Sequence, residues 1–274
     1  MAEHIVIKSS KSISDILRPS EIYKYKDLLV ELTSKDIKMR HKQTILGVAW
    51  VLFQPLISVL IFTLIFGVII KLPTDKIPYP LFVFIGFNFW NLFSNTITSV
   101  SGSLAGNESL IKKVYFPRVI IPLSTIATNL FDFTISSAFL LIMIAYFGLP
   151  LSFTFFIYFF TSVVIVFLTC TGLGLFLASL NLRYRDVRQI LPFFIQILIF
   201  LTPVFYPVTS VSAANRWILS LNPLSTAIEL TRYGVGGVGV SGLSVAVSLL
   251  ISSLLCIIGV LYFAKTEEGF ADLI

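Results

Sequence analysis

Apolar and polar positions change along this chain on the scale of whole helices. Crossing roughly 30 Å of hydrocarbon takes about 20 apolar residues. Runs of that kind occupy 48–70, 77–101, 119–147, 151–182, 189–207 and 234–264. The first, second and fourth carry no charge, and the third carries a single one, Asp132. The pattern predicts an all-α membrane protein with six transmembrane helices.

The polar intervals have structure of their own. Ser20 follows Pro19 and precedes Glu21, which reads as a helix start with an acid in the first turn. Ile22, Tyr25, Leu29 and Leu32 then fall at helical spacing, with Lys24, Lys26, Asp27 and Glu31 on the remaining surface. That predicts an N-terminal amphipathic helix lying along the membrane interface. Between the fifth and sixth runs, 206–233 contains Pro207, Asn215, Arg216, Asn222, Pro223, Glu229 and Arg232. Its apolar pieces, 217–221 and 224–230, are too short to cross. Short re-entrant helices broken at Asn222-Pro223 are expected there. Irregular backbone at membrane depth survives only beside protein or a water-filled cavity, so this hairpin is a candidate plug or gate. The first apolar run follows a polar stretch too long for the n-region of a signal peptide, so none is expected. The chain thus divides into an N-terminal segment, 1–47, a transmembrane domain, 48–264, with its external hairpin 208–233, and a tail, 265–274.

Composition agrees with this. Hydrophobic residues make up 56% and charged residues 12%, with a mean hydropathy of +0.92. A soluble domain carries about a quarter of its residues charged, so lipid must cover what water cannot. The net charge of +6 does not point to nucleic acid, because the cations cluster in breaks between apolar runs. Nine of the twenty Lys and Arg residues lie in 1–47, three in 102–118, three in 183–188, and one is Lys265. Only Lys71, Lys76, Arg216 and Arg232 fall on the other side. Sixteen against four places both termini in the cytoplasm. Cys170 and Cys256 sit inside apolar runs and read as small core hydrophobes.

Chemistry-bearing residues are few. No G-x-x-x-x-G-K-[ST] occurs, so the chain cannot hydrolyse ATP by that route. Gly234, Gly236 and Gly239 spell G-x-G-x-x-G, but no strand precedes them, and a flexible approach to the sixth span is the better reading. Asp132 is the one ionisable residue deep in a span, with Asn129 a turn earlier. Intramembrane acids face a bundle interior or a cavity, so Asp132 reads as a structural hydrogen bond to a neighbouring helix or subunit, or as a site for proton coupling or for hydrogen bonding to a polar cargo. Gly174 and Ala178, and the stripe Ser244, Ser248 and Ser252, mark close helix contacts. Trp50, Phe53, Phe62 and Phe66 recur on one run, and Phe193 and Phe200 share a face of another. Such rings face lipid, pack, or suit sugar faces. The break 107–118 interleaves Glu108, Lys112, Lys113 and Arg118 with Tyr115 and Phe116, as a docking element would and a bare topology anchor need not.

At this point the motifs together carry a resemblance. Lys35-Asp36-Ile37-Lys38-Met39-Arg40, then Leu46-Gly47, Trp50 and Gln54-Pro55-Leu56, look like the lead-in to the first span of ABC-2 type polysaccharide exporter permeases. Leu110 to Arg118 resembles their first cytoplasmic loop, Arg183-Tyr184-Arg185-Asp186-Val187 the approach to span five, and Pro203-Val204-Phe205-Tyr206-Pro207 its outer end. Asn222-Pro223-Leu224 is similar to the broken external hairpin. His41 departs from the family, which more often has an aromatic there.

The resemblance implies a homodimer in the bacterial inner membrane, bound to two ABC ATPase subunits that hold ATP and magnesium, with no cofactor in this chain. The cargo would be a lipid-linked polysaccharide of O-antigen, teichoic acid or capsule type. Leu29, Leu32, Asp36, Arg40, Glu108, Lys112, Lys113, Tyr115, Phe116 and Arg118 would couple to the ATPase. Trp50, Phe53, Phe62, Phe66, Asp132, Phe193 and Phe200 would line the channel. Tyr206, Trp217, Asn222 and Pro223 would belong to the periplasmic gate. Two other classes compete. A proton-coupled secondary transporter would use Asp132, and a membrane enzyme acting on lipid-linked sugars would need convergent acids that the sequence does not offer.

Overall fold

A computed structural model describes residues 23–42, 47–74, 76–184, 186–212, 215–267 and 269–270. The expected helix start at Ser20-Glu21, and Leu46 and Arg185 of the motifs above, lie outside them. Among the described residues every regular element is a helix. Helix α1 (Lys26–Lys42) comes first. A 3-10 turn, Gly47–Ala49, opens α2 (Trp50–Phe62), which runs on as a π-helix over Thr63–Ile69. Then follow α3 (Tyr79–Gly106), the short α4 (Glu108–Lys113), α5 (Ile120–Tyr146), α6 (Phe153–Arg183), α7 (Val187–Leu198), α8 (Arg216–Ser220), α9 (Pro223–Gly234) and α10 (Gly242–Glu267).

Four stretches are long and apolar enough to cross a membrane: Gly47–Ile69, Ile120–Tyr146, Phe153–Arg183 and Gly242–Glu267. The chain is an integral membrane protein. The second and fifth expected spans differ from these, each for its own reason.

Helix α3 has the length, 28 residues, but Asn88, Asn91, Asn95 and a run of Ser and Thr dilute its hydropathy. It is also the central element, with buried residues along nearly its whole length. Polar side chains are tolerated in a membrane where protein surrounds them. Helix α2 is the reverse case. It is strongly apolar, yet Pro55 and Val59 alone are buried within it.

The fifth apolar run is not one helix. Helix α7 stops at Leu198 after 12 residues, about 18 Å at 1.5 Å per residue and well short of the hydrocarbon core. Thr202 precedes Pro203, a position biased away from helix, and the chain turns through 199–207. That turn leaves carbonyls without helical partners, and buried side chains take them. Arg232, 1% exposed, donates to Pro203 O and Val204 O, both at 2.7 Å. It also reaches Phe82 O at 2.9 Å and the Glu229 carboxylate at 2.7 Å, with its guanidinium 3.4 Å from the centre of the Phe82 ring. Tyr79 donates to Phe205 O at 2.7 Å. A Cβ on Gly86 would stand 2.3 Å from Val204 O, so only glycine lets α3 approach this turn.

Beyond it, α8 and α9 meet at Asn222-Pro223. The Asn222 carboxamide accepts from Leu224 N at 3.1 Å, capping α9, and donates to Thr202 Oγ1 at 3.0 Å. The cap thereby fastens α8 and α9 to the end of the fifth run.

Two apolar clusters carry the packing. The larger gathers around α3 with α5, α6 and α9. The smaller joins Phe116, Val119, Ile120 and Ile121 to Phe263 and Phe270, with Leu29 and Leu32 of α1 packed on it. The closest seam lies between α6 and α10. A Cβ on Gly259 would meet Gly172 O at 2.0 Å, and one on Gly172 would meet Leu255 O at 2.3 Å. Ser252 bonds Thr169 across the same seam at 3.0 Å. The sequence points to Gly174 instead, which packs on Val100 of α3.

Candidate functional site

Four helices turn polar side chains toward one cleft of about 260 Å³. Spacings of three and four residues put Asn88, Asn91 and Asn95 on one face of α3, and Asn129, Asp132, Phe133 and Ser136 on one face of α5. Trp50 and Gln54 face the cleft from α2, and Arg40 and His41 from the end of α1.

An ionic node closes one side. Arg40 Nη1 stands 3.0 Å from Asp132 Oδ2 and 3.0 Å from Asn129 Oδ1. His41 Nε2 is 3.1 Å from Asp132 Oδ1. Asn129 in turn donates to Ser99 Oγ and Thr125 O, both at 2.8 Å. Asp132 is thus gripped by a segment that precedes the first span. The Asn88 amide nitrogen bonds Ser137 Oγ at 3.1 Å, while its buried oxygen has no partner among the described residues. Carboxamides both donate and accept, so the cleft offers hydrogen bonds of both kinds. Helix α1 runs beside α5: the Thr33 hydroxyl reaches Ser124 O at 3.5 Å, two turns before Arg40 reaches Asp132.

At the far end of α3 lies the 107–118 loop. Glu108, Lys112, Lys113, Val114 and Tyr115 are exposed, Tyr115 at 76%. Phe116 is not a surface residue. It is 5% exposed and sits in the smaller core, because an aromatic beside Pro117 and Val119 gains more from that core than from water. Phe116 therefore lies beneath the exposed loop residues, as their floor, not among them. Arg118 ties the floor down: its backbone N–H donates to Glu267 Oε1 at 2.7 Å, and its guanidinium donates to the Glu267 carbonyl oxygen. The C-terminal end of α10 therefore supports the loop.

The profile of the ABC-2 type transporter family matches residues 27–235. This span starts in α1, ends just past α9 and takes in the cleft, the loop and the Arg232 clamp. The chain belongs to the ABC-2 type transporter family. It is 32% identical over 209 residues to the O-antigen export system permease protein RfbA of Myxococcus xanthus, covering 74% of this chain and 78% of that one. It is 28% identical over 256 residues to the protein of the same name from Klebsiella pneumoniae, covering 90% and 95%. The polysialic acid transport protein KpsM of Escherichia coli is 26% identical over 244 residues, covering 86% and 92%.

In this ABC-2 transporter chain the aromatic residues divide into two sets. Trp50 and Phe53 are exposed and stacked, with ring centroids 5.2 Å apart. Phe193 and Phe200 are exposed on and just past α7. Phe62 and Phe66 instead stack on Phe205 at 5.0 and 5.6 Å, pinning the first span to the turn that Arg232 holds. Of the residues expected at a gate, Trp217 is 62% exposed on α8, Pro223 is buried at the start of α9, and Tyr206 donates to Phe200 O at 3.1 Å. Leu29 and Leu32 pack inward, and Asp36 is half-buried. Sequence reasoning missed Arg232, Tyr79, Gly86, Gly172 and Gly259. Arg232 carried a legible signal, as a lone cation among apolar residues next to an unwound Pro-rich turn.

Proposed function

We propose that this chain is the channel-forming subunit of an ATP-driven exporter that moves lipid-linked polysaccharide across the bacterial cytoplasmic membrane. The observation that carries the proposal is a family match through most of the chain, joined to relatives named as O-antigen export permeases that align over up to 90% of it. In this reading six crossings put both termini in the cytoplasm, with α3 as the second and α7 plus its clamped turn as the fifth. Two copies pair, and two separate ATPase subunits bind the exposed 107–118 loop and α1. The sparsely buried faces of α2 and α7, with Trp50, Phe53, Phe193 and Phe200, border the passage between copies. The broken helices α8 and α9 close its outer mouth.

Co-expression with a candidate ATPase encoded nearby tests this. Purified alone, the chain is expected to show no ATP turnover. With the partner, a complex of two copies of each should form and hydrolyse ATP. A deletion strain should lose surface polysaccharide and accumulate lipid-linked glycan inside. ATP turnover by the chain alone, or unchanged surface glycan in the deletion, refutes the reading. The proton-coupled alternative has Asp132 as its only support, and that acid is held by Arg40 and His41.

A further inference from the structure

A second cavity, about 240 Å³, lies where α9, the start of α3 and the start of α10 meet, at the end of α3 away from the 107–118 loop. Its floor is closed and its rim open. Ile77, Phe82, Ser225 and Arg232 are buried at the bottom, while Thr209, Arg216, Gly239 and Ser241 are exposed around the edge.

Three properties narrow what fits. The first is charge. Glu229 faces the cavity but already accepts from Arg232 at 2.7 Å, so a cation gains little there. Arg216 gives N–H groups to Val211 O and Thr209 O at 3.0 and 3.2 Å and stands exposed at the rim, where water and salt screen its charge, so an anion gains little either. The second is hydrogen bonding. Seven of the lining residues carry a hydroxyl: Thr74, Thr209, Ser220, Ser225, Thr226, Ser241 and Ser244. The Ser225 hydroxyl, on a residue 2% exposed, has no partner among the described residues. Of the Glu229 oxygens, Oε1 alone takes a hydrogen bond from them. A carboxylate oxygen with room to accept, set among hydroxyls that both give and take, suits a neutral polyol. The third is size. The volume falls below the roughly 300–1,000 Å³ of sites for drug-sized ligands, so one ring fits and an extended chain does not. Ile77, Phe82 and Pro207 offer an apolar patch for the C–H face of that ring.

We propose that this cavity binds one pyranose unit of the exported glycan as it leaves the membrane. The inference rests on the exporter reading above for the source of the sugar. The assignment to the outer side follows the same reading, because the cavity is walled by the hairpin and by the segment leading into the last span.

Saturation-transfer NMR on the full chain in nanodiscs tests it. The probes are methyl glucoside, galactoside, mannoside and rhamnoside, and an oligosaccharide repeat cut from the host's own surface polymer. Transfer is expected to at least one pyranoside and to a single ring of the repeat, with a Kd on the order of millimolar, about −4 kcal/mol. Gly239→Leu should weaken it at least tenfold. An added Cβ at Gly239 meets nothing nearer than Tyr233 Cε2 at 3.8 Å, so this variant fills the rim without disturbing the Arg232 clamp. Glu229→Gln should weaken it as well, and Gly239→Leu decides the matter if that variant fails to fold. No transfer to any probe, or transfer unchanged in Gly239→Leu, overturns the proposal. Stronger displacement by short-chain phosphatidylethanolamine than by any sugar overturns it too, because the cavity would then be a lipid headgroup site. Export in the deletion strain is read separately. Loss of export in the deletion strain, together with no pyranoside bound by the purified wild-type chain, removes the cavity proposal and leaves the exporter reading intact.

Discussion

Arg232 on α9 and Val204 in the turn after α7 are joined by a 2.7 Å hydrogen bond, guanidinium to carbonyl. The pair explains how an apolar run can leave its helix without exposing bare backbone. Each unpaired carbonyl in an apolar setting is costly, and one fully buried side chain satisfies those of Pro203 and Val204 while also bonding Phe82 O of α3.

Arg232→Met should therefore destabilise the protein by about 3–5 kcal/mol, the range for removing one partner of a buried charged network. Arg232→Lys keeps the charge but not the planar fork, and should fall between wild type and Met. Unfolding titrations in mixed micelles read this directly. A Met variant as stable as wild type would remove the clamp from the account.

Phe116 and Tyr115 should separate cleanly. Phe116→Ala opens a cavity in the smaller core and should cost about 3–5 kcal/mol. Tyr115→Ala alters an exposed side chain and should stay within about 0.5 kcal/mol of wild type, while co-purification with the ATPase falls. Equal effects of the two substitutions on both readouts would contradict the division between floor and surface.

The seam between α6 and α10 admits no side chain at Gly259. Gly259→Leu should cost at least the roughly 1–3 kcal/mol of overpacking, because its Cβ would strike backbone and not a flexible side chain. Gly102→Leu, where an added Cβ meets nothing within 4 Å, is the control. Thermal aggregation midpoints of the two variants should differ clearly, with Gly102→Leu close to wild type.

Asp132→Asn tests the two transport classes against each other. Asparagine at 132 keeps an oxygen that Arg40 and His41 can still hydrogen-bond, so the exporter should keep much of its glycan export. Arg40→Gln should give a similar, non-additive loss, since both changes remove the same ion pair. Abolished export in Asp132→Asn with normal folding would favour proton coupling.

Much of the candidate site was legible in one dimension. Asp132 with Asn129, the basic and aromatic 107–118 loop and the Asn222-Pro223 break all stand out against apolar surroundings. Their partners do not. Nothing local ties Arg40 to an acid 92 positions later, or Arg118 to Glu267, 149 positions away. The likeness of Phe116 to its exposed neighbour Tyr115 hides that only one of the two is buried.

Length, hydropathy and charge bias by themselves determined that this is a helical membrane protein, and ordered motifs pointed to its family, because lipid and water act on each stretch of chain in turn. Tertiary structure alone decided that polar α3 is the centre and apolar α2 the rim, that the fifth run bends where Arg232 can hold it, and which glycines touch. Those outcomes depend on which surfaces meet one another, and average hydropathy does not distinguish a helix wrapped in protein from one wrapped in lipid.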